Sequence, residues 1–236
     1  MSSLSYDTLQ TIVKAIALAL VVLSASVHEF GHAYAAHKCG DDTAKEQGRL
    51  TVNPLAHIDL FGSVLLPALL LLSGSGYMAF AKPVPYNPYR LKNRRRDEVI
   101  VAFAGPLANI LQACVGAALY HLSLQLLYGD PVAPMYYYYL EIDVVAWLPF
   151  VLQLYIQVNC SLAFFNLLPI PPLDGSSIIA PLLSDKALNT YYKVQRYALP
   201  VTFALIWFLP QFTGIDPIGW WLDLTAGNLE TLLLGW

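Results

Sequence analysis

Two histidines and a glutamate stand together in SVHEFGHAY, residues 26–34, where the apolar run QTIVKAIALALVVLSA ends. His28 and His32 are four residues apart. On a helix that spacing puts both imidazoles on one face, one turn apart, where they can grip a single ion. Glu29 between them is a carboxylate placed to take a proton from water activated at such an ion. Ionisable groups inside an apolar helix of membrane length are costly and mark function by default. A merely satisfied polar cluster between helices is the weaker reading.

H-E-x-x-H on a helix is the zinc-protease pattern, with the glutamate as general base. Zinc brings the pKa of its water down to about 7, so a carboxylate can deprotonate it. A catalytic centre of this kind needs a third protein ligand and one open position. His37 follows His32 by five residues, which turns it about 140° away from that face, and it reads as interfacial or solvated. His121 lies toward the far end of its own apolar run. His57, in NPLAHIDLFG, stays open as a neighbour. Asp174, in NLLPIPPLDG, is the best candidate, although PPLDG alone reads as a turn closing a helix.

The elements that hold these residues must be largely membrane-embedded. The chain has 236 residues, 57% of them hydrophobic and only 12% charged, against about 25% charged in soluble domains. Its mean hydropathy is +0.52. A net charge of −3 gives no basic footprint for nucleic acid. The three cysteines, Cys39, Cys114 and Cys160, have neither metal-type spacing nor a disulfide framework. The first apolar run lacks a charged leader and a small-residue cleavage site, so it reads as retained. No repeat appears, and residues 1–236 read as one integral membrane domain, with a core of about 9–180 and C-terminal helices over about 181–236.

Candidate spans are 9–36, 99–121 and 147–169. The run 197–210 is short unless it begins before Tyr197. Residues 217–236, broken by Asp223, Gly227 and Glu230, could span, hairpin back or lie in the interface. Residues 60–72 are thirteen apolar residues ahead of SGSG, which favours a dip into the membrane between 60 and 80 over a crossing. The fold expected is an all-α polytopic membrane protein with about 5–6 transmembrane helices. A re-entrant or short β-containing segment should lie between the HExxH helix and the helix carrying GPLAN.

Lysine and arginine number three in 38–59, six in 82–98 and three in 171–196, with none in 122–146 and none after Arg196. By the positive-inside rule the first three loops are cytoplasmic and the tyrosine-rich loop MYYYYLEID is external. The C-terminal ends of the first span and of 147–169 then reach the same membrane face. That brings His28, His32 and Asp174 to one side.

HEFGH followed by NLLPIPPLDG resembles the site-2 proteases, the intramembrane zinc metalloproteases of peptidase family M50. GRLTVNPLAHID (48–59), AKPVPYNPYR (81–90) and AGPLANI (104–110) extend the likeness over most of residues 26–180, in the expected order. It is closest to the small subgroup without a PDZ insertion. The resemblance implies one zinc per chain held by His28, His32 and Asp174, with Glu29 as the base. It also implies that Asn166, eight residues before Asp174, steadies the oxyanion. The implied substrate is a transmembrane-helix protein in a lipid bilayer. The implied location is a bacterial-type cytoplasmic membrane with the active site near the cytoplasmic side. Oligomeric state is not indicated.

Small residues Gly31, Ala33, Ala35 and Ala36 permit close helix approach. Gly105, Pro106 and Asn109 could do the same, with Asn109 hydrogen-bonding across, and simple helix packing is the favoured role of that stretch. Residues 76–90 could hold an extended substrate by strand addition or be a proline-rich surface loop. Arg94 to Arg96 read as an anchor on anionic lipid. The alternative from another class is a non-catalytic, metal-containing membrane protein that binds client transmembrane helices. Intact Glu29 argues against it, since binding needs no base. A lipid hydrolase or oxidase ranks last, because di-iron lipid oxidases need more than five histidines.

Overall fold

The longest helix begins at a strong stop signal for the preceding loop. Asn93 accepts a hydrogen bond from the Arg96 backbone N–H, and Asp97 accepts one from the Asn93 N–H at 2.8 Å. Reciprocal capping of this kind satisfies amide groups that the first turn leaves without partners. The helix ends at Gly129, whose φ of 71° is the left-handed cap that glycine adopts without strain.

A computed structural model describes residues 6–65, 67, 81–129 and 147–235. Its helices are α1 (Tyr6–Lys38), α2 (Thr43–Glu46), α3 (Arg94–Tyr128) and α4 (Trp147–Asn166), then α5 (Asp174–Ile179), α6 (Asp185–Thr213), α7 (Pro217–Leu222) and α8 (Asn228–Leu234). The fold is all-helical as expected, with no strand among the described residues. Among the described residues, three helices are long and apolar enough to cross a membrane: Thr8–Lys38, Arg94–Tyr128 and Trp147–Asn166. The run 197–210 does begin earlier, inside the 29-residue α6. Residues 217–234 form two short helices joined by a π-helical turn, Asp223–Gly227. Leu60–Leu65 is another π-helical turn. Most of the expected dip (66 and 68–80) and the tyrosine-rich loop lie outside the described residues.

Helix α3 is the hub, packed on α1, α4 and α5. Its two faces differ in size rather than in polarity. Phe103, Leu107, Leu111, Val115, Leu119, Leu122 and Leu126 are exposed along one side, while Gly105, Asn109, Ala113, Gly116 and Ala117 are buried on the other. A stripe of large exposed apolar residues on a helix that is also apolar inside is the pattern of a span facing lipid. The buried side meets Ile156 and Cys160 of α4, together with Ala226 and Leu234 near the C-terminus.

At its other end α3 meets α1 through a second cluster of Ala35, Ala36, Leu91 and Val101. Glycine sets that approach. A methyl group on Gly31 would stand 2.7 Å from the Ala104 carbonyl oxygen, so only a bare α-carbon lets the backbones come this close. This crossing brings the HEFGH turn of α1 against residues 101–109 of α3.

Candidate metal centre

His28, His32 and Asp174 come together as the sequence led one to expect, and among the described residues they form the one cluster able to hold a metal ion. His28 and His32 project from the same face of α1, with their Nε2 atoms 3.0 Å apart. Asp174 is the first residue of α5. Its Oδ2 lies 3.2 Å from His28 Nε2 and 3.3 Å from His32 Nε2.

The third member is held by the turn before it. Helix α4 ends at Asn166, and LPIPPL reverses the chain. The Pro171–Pro172 peptide bond is cis, Leu173 N–H donates to the Ile170 carbonyl at 2.9 Å, and Thr202 of α6 donates to the Pro171 carbonyl at 2.6 Å. Gly175 allows α5 to start against the end of α4, because a Cβ there would overlap the Leu167 carbonyl group.

Hydrogen-bond partners orient the three side chains. His32 Nδ1 lies 2.7 Å from the Val101 carbonyl oxygen. A carbonyl only accepts, so the Nδ1 proton is there and the Nε2 lone pair faces inward. His28 Nδ1 lies 2.5 Å from Asn109 Oδ1, again an acceptor, which orients its ring likewise. Asp174 Oδ2 is buried and accepts no hydrogen bond. Burial alone would favour the neutral acid. With no ion between them, a proton held by the facing imidazoles, His32 foremost, more than offsets this and keeps the carboxyl below the usual carboxylate range; an ion would stand in that proton's place. Three acceptor atoms thus converge on a point that calls for a cation.

A divalent ion fits better than a proton. Ligands at about 2.0–2.1 Å around a tetrahedral zinc are separated by roughly 3.3 Å. The three edges of the cluster, 3.0, 3.2 and 3.3 Å, match that separation. The donor set of two imidazoles and a carboxylate is one used by catalytic zinc. The floor is also cleared for an ion: a methyl group on Gly105 would overlap His32 and come within 2.6 Å of His28 Nε2. Pro106 adds to this by leaving the Ala102 carbonyl without its usual helical donor, at the turn where Val101 turns its carbonyl to His32.

Glu29 is half-buried beside the two histidines. Its Oε2 accepts a hydrogen bond from Val84 N–H at 2.7 Å. Sequence reasoning did not find this partner, yet a signal exists. In KPVPY, Pro83 and Pro85 have no N–H, so Val84 carries the one amide proton of residues 83–85. The segment 81–87 has no regular secondary structure and is anchored along its length. Lys82 N–H donates to the His57 carbonyl at 2.8 Å, Arg49 Nη2 to the Lys82 carbonyl at 2.5 Å, and Asn87 N–H to Asp41 Oδ2 at 2.5 Å.

The remaining candidates have other partners. Buried His57 engages the Thr51 carbonyl at 2.8 Å and lies 3.4 Å from Arg49, inside the GRLTVNPLAHID loop. His37 pairs with Asp42 and His121 with the Leu233 carbonyl. Asn166 donates through Nδ2 to the Leu162 carbonyl of its own helix at 2.9 Å, which leaves its second amide hydrogen for another acceptor.

These features define an all-helical protein with helices long and apolar enough to cross a membrane and a His–His–Asp cluster able to hold a metal ion, beside a carboxylate. The chain belongs to peptidase family M50, whose sequence profile matches residues 15–209. It is 37% identical over 217 residues to "Putative zinc metalloprotease YwhC" of Bacillus subtilis (strain 168), covering 91% of this chain and 88% of that one. It is 28% identical over 229 residues to the protein of the same description, Rip2, of Mycolicibacterium smegmatis, covering 91% and 79%. Rip2 of Mycobacterium tuberculosis is 29% identical over 231 residues, covering 94% and 80%. No solved structure matches the chain significantly.

Proposed function

We propose that this zinc metalloprotease of family M50 cuts transmembrane proteins within or next to their membrane segments. The observation that carries the reading is the convergence of His28 Nε2, His32 Nε2 and Asp174 Oδ2 in a bundle whose helices α1, α3 and α4 are long enough to cross a bilayer. His28, His32 and Asp174 would hold one zinc ion. Bound there, zinc would lower the pKa of water and polarise the scissile carbonyl.

The chain's own groups do the rest. Glu29 takes the proton from water and later delivers it to the leaving amine. Val84 N–H holds one oxygen of that carboxylate in place. The free amide hydrogen of Asn166 is available for the developing oxyanion. Two obstacles face hydrolysis in a membrane: water is scarce, and a helical substrate keeps its carbonyls in internal hydrogen bonds. Loop charges support a triad near the cytoplasmic end of the helices, within reach of water. Strand addition along 76–90 would present a substrate unwound. The location that follows is a bacterial-type cytoplasmic membrane.

Glu29→Gln tests the chemistry. The amide cannot act as a base but fills the same space and can still accept from Val84 N–H. Zinc content should stay at the wild-type level while cleavage of a reporter transmembrane substrate falls by at least about 100-fold, the lower range of general-base contributions. Wild-type cleavage by Glu29→Gln would exclude this mechanism. Metal retained in the wild type with no turnover on any helical substrate would favour a protein that binds client helices instead.

A further inference from the structure

The amide oxygen that faces His28 is not free to turn, and what fixes it lies on another helix. Asn109 donates through Nδ2 to Asn159 Oδ1 at 2.9 Å. Asn159 in turn donates through Nδ2 to the Tyr155 carbonyl at 2.9 Å and to Ser24 Oγ at 3.0 Å. Asn109, Asn159 and Ser24 are fully buried, so water cannot substitute for a lost partner.

Direction runs through this chain in one sense only. The Tyr155 carbonyl accepts and cannot donate, so the Asn159 NH2 group must face it. Asn159 Oδ1 then faces Asn109, and only the Asn109 NH2 group can meet it. Asn109 Oδ1 is left facing His28 Nδ1, which must carry the proton. Reversing either amide sets two acceptors against each other in a dry interior, at a cost of about 1–3 kcal/mol for each group left unsatisfied. The end of the chain is the Nε2 lone pair of His28, pointed at Asp174 and His32.

We propose that Asn159 is a positioning residue for the metal centre: it fixes the tautomer of His28 through Asn109, from α4 to α1 across α3. This rests on the reading of His28, His32 and Asp174 as metal ligands. His32 takes its orientation from a backbone carbonyl and needs no such relay. His28 takes its own from a side chain, and a side-chain amide has to be oriented by something else. The relay also ties the ligand geometry to the packing of all three candidate spans.

The test compares Asn159→Leu, which keeps the branching at Cγ, with Asn109→Asp/Asn159→Leu, on the full chain in detergent. Zinc affinity is read by competition with a chromophoric chelator, and Co2+ absorption reports the coordination geometry. In Asn159→Leu the Asn109 amide is free to turn, and zinc affinity should fall about 10–100-fold. In the double variant a carboxylate accepts from His28 Nδ1 in either orientation. Affinity and the Co2+ spectrum should then return to within a few-fold of wild type. A role in packing alone would make the two losses add instead. If Asn159→Leu does not fold, Asn159→Ala is read in the same way. Wild-type affinity in the single variant, or an unrescued loss in a double variant of normal helicity, would overturn the relay. A wild type that binds no zinc would remove the metal centre itself, and the relay's purpose with it.

Discussion

Gly105 presents its bare α-carbon to the edge of His32, and a methyl group there would occupy the space between the His28 and His32 Nε2 atoms. Two independent demands meet at this position. The ion needs room, and α1 and α3 need to pack closely enough for the Val101 carbonyl to reach His32.

Gly105→Ala therefore separates metal binding from helix stability. Alanine is favoured over glycine by about 1 kcal/mol inside a helix, so helicity should not fall. Zinc affinity should drop by about 100-fold, the upper end of what changes around a ligand set cost. Chelator competition and circular dichroism on the same sample check both halves. Undiminished zinc binding would mean that the ion sits elsewhere.

Val84 acts through its backbone, so its side chain should matter little. Val84→Ala is expected to cleave near the wild-type rate. Val84→Pro removes the N–H from which Glu29 accepts, at a position that the following Pro85 already biases toward extended backbone. Hydrogen bonds to charged groups contribute about 1.5–3 kcal/mol, which corresponds to roughly a 10–100-fold loss of rate. Cleavage kinetics with zinc content held at the wild-type level decide the matter; equal rates for the two variants would show that the amide is dispensable.

Gly31→Ala tests the helix crossing itself. Its new methyl group would press on the Ala104 carbonyl at 2.7 Å, backbone against which no side chain can rotate away. The expected cost is about 1–3 kcal/mol of stability, seen as a lower denaturation midpoint in detergent. An unchanged midpoint would show that α1 and α3 can part without penalty.

The sequence was informative where chemistry is local. HEFGH places two imidazoles on one helix face by periodicity alone, and charge counts in the loops put LDG on the same side. The spans at 9–36, 99–121 and 147–169 correspond to α1, α3 and α4 because lipid-facing and protein-facing sides of these helices are both apolar. What could not be read is set by distance in the chain. Nothing in GPLAN says that Asn109 meets His28, 81 residues away in the chain, because that contact depends on the helix crossing at Gly31. Val84 escaped notice for a similar reason: its role is carried by a backbone amide, which leaves no residue-type signature. Of the dip expected over 60–80 the structure describes Leu60–Leu65, a π-helical turn, and Pro67, and the rest lies outside the described residues.

The central claim is that His28, His32 and Asp174 hold one metal ion, and metal content measured by mass spectrometry tests it most directly. Wild type, His28→Ala and Asp174→Ala would be purified in parallel and their zinc per chain compared at equal helicity. The arrangement predicts about one zinc per chain in the wild type, as for a three-ligand catalytic site, and near-complete loss in both variants. Full metal in Asp174→Ala would contradict it, because the carboxylate at the end of LPIPPLD would then have no part in the site.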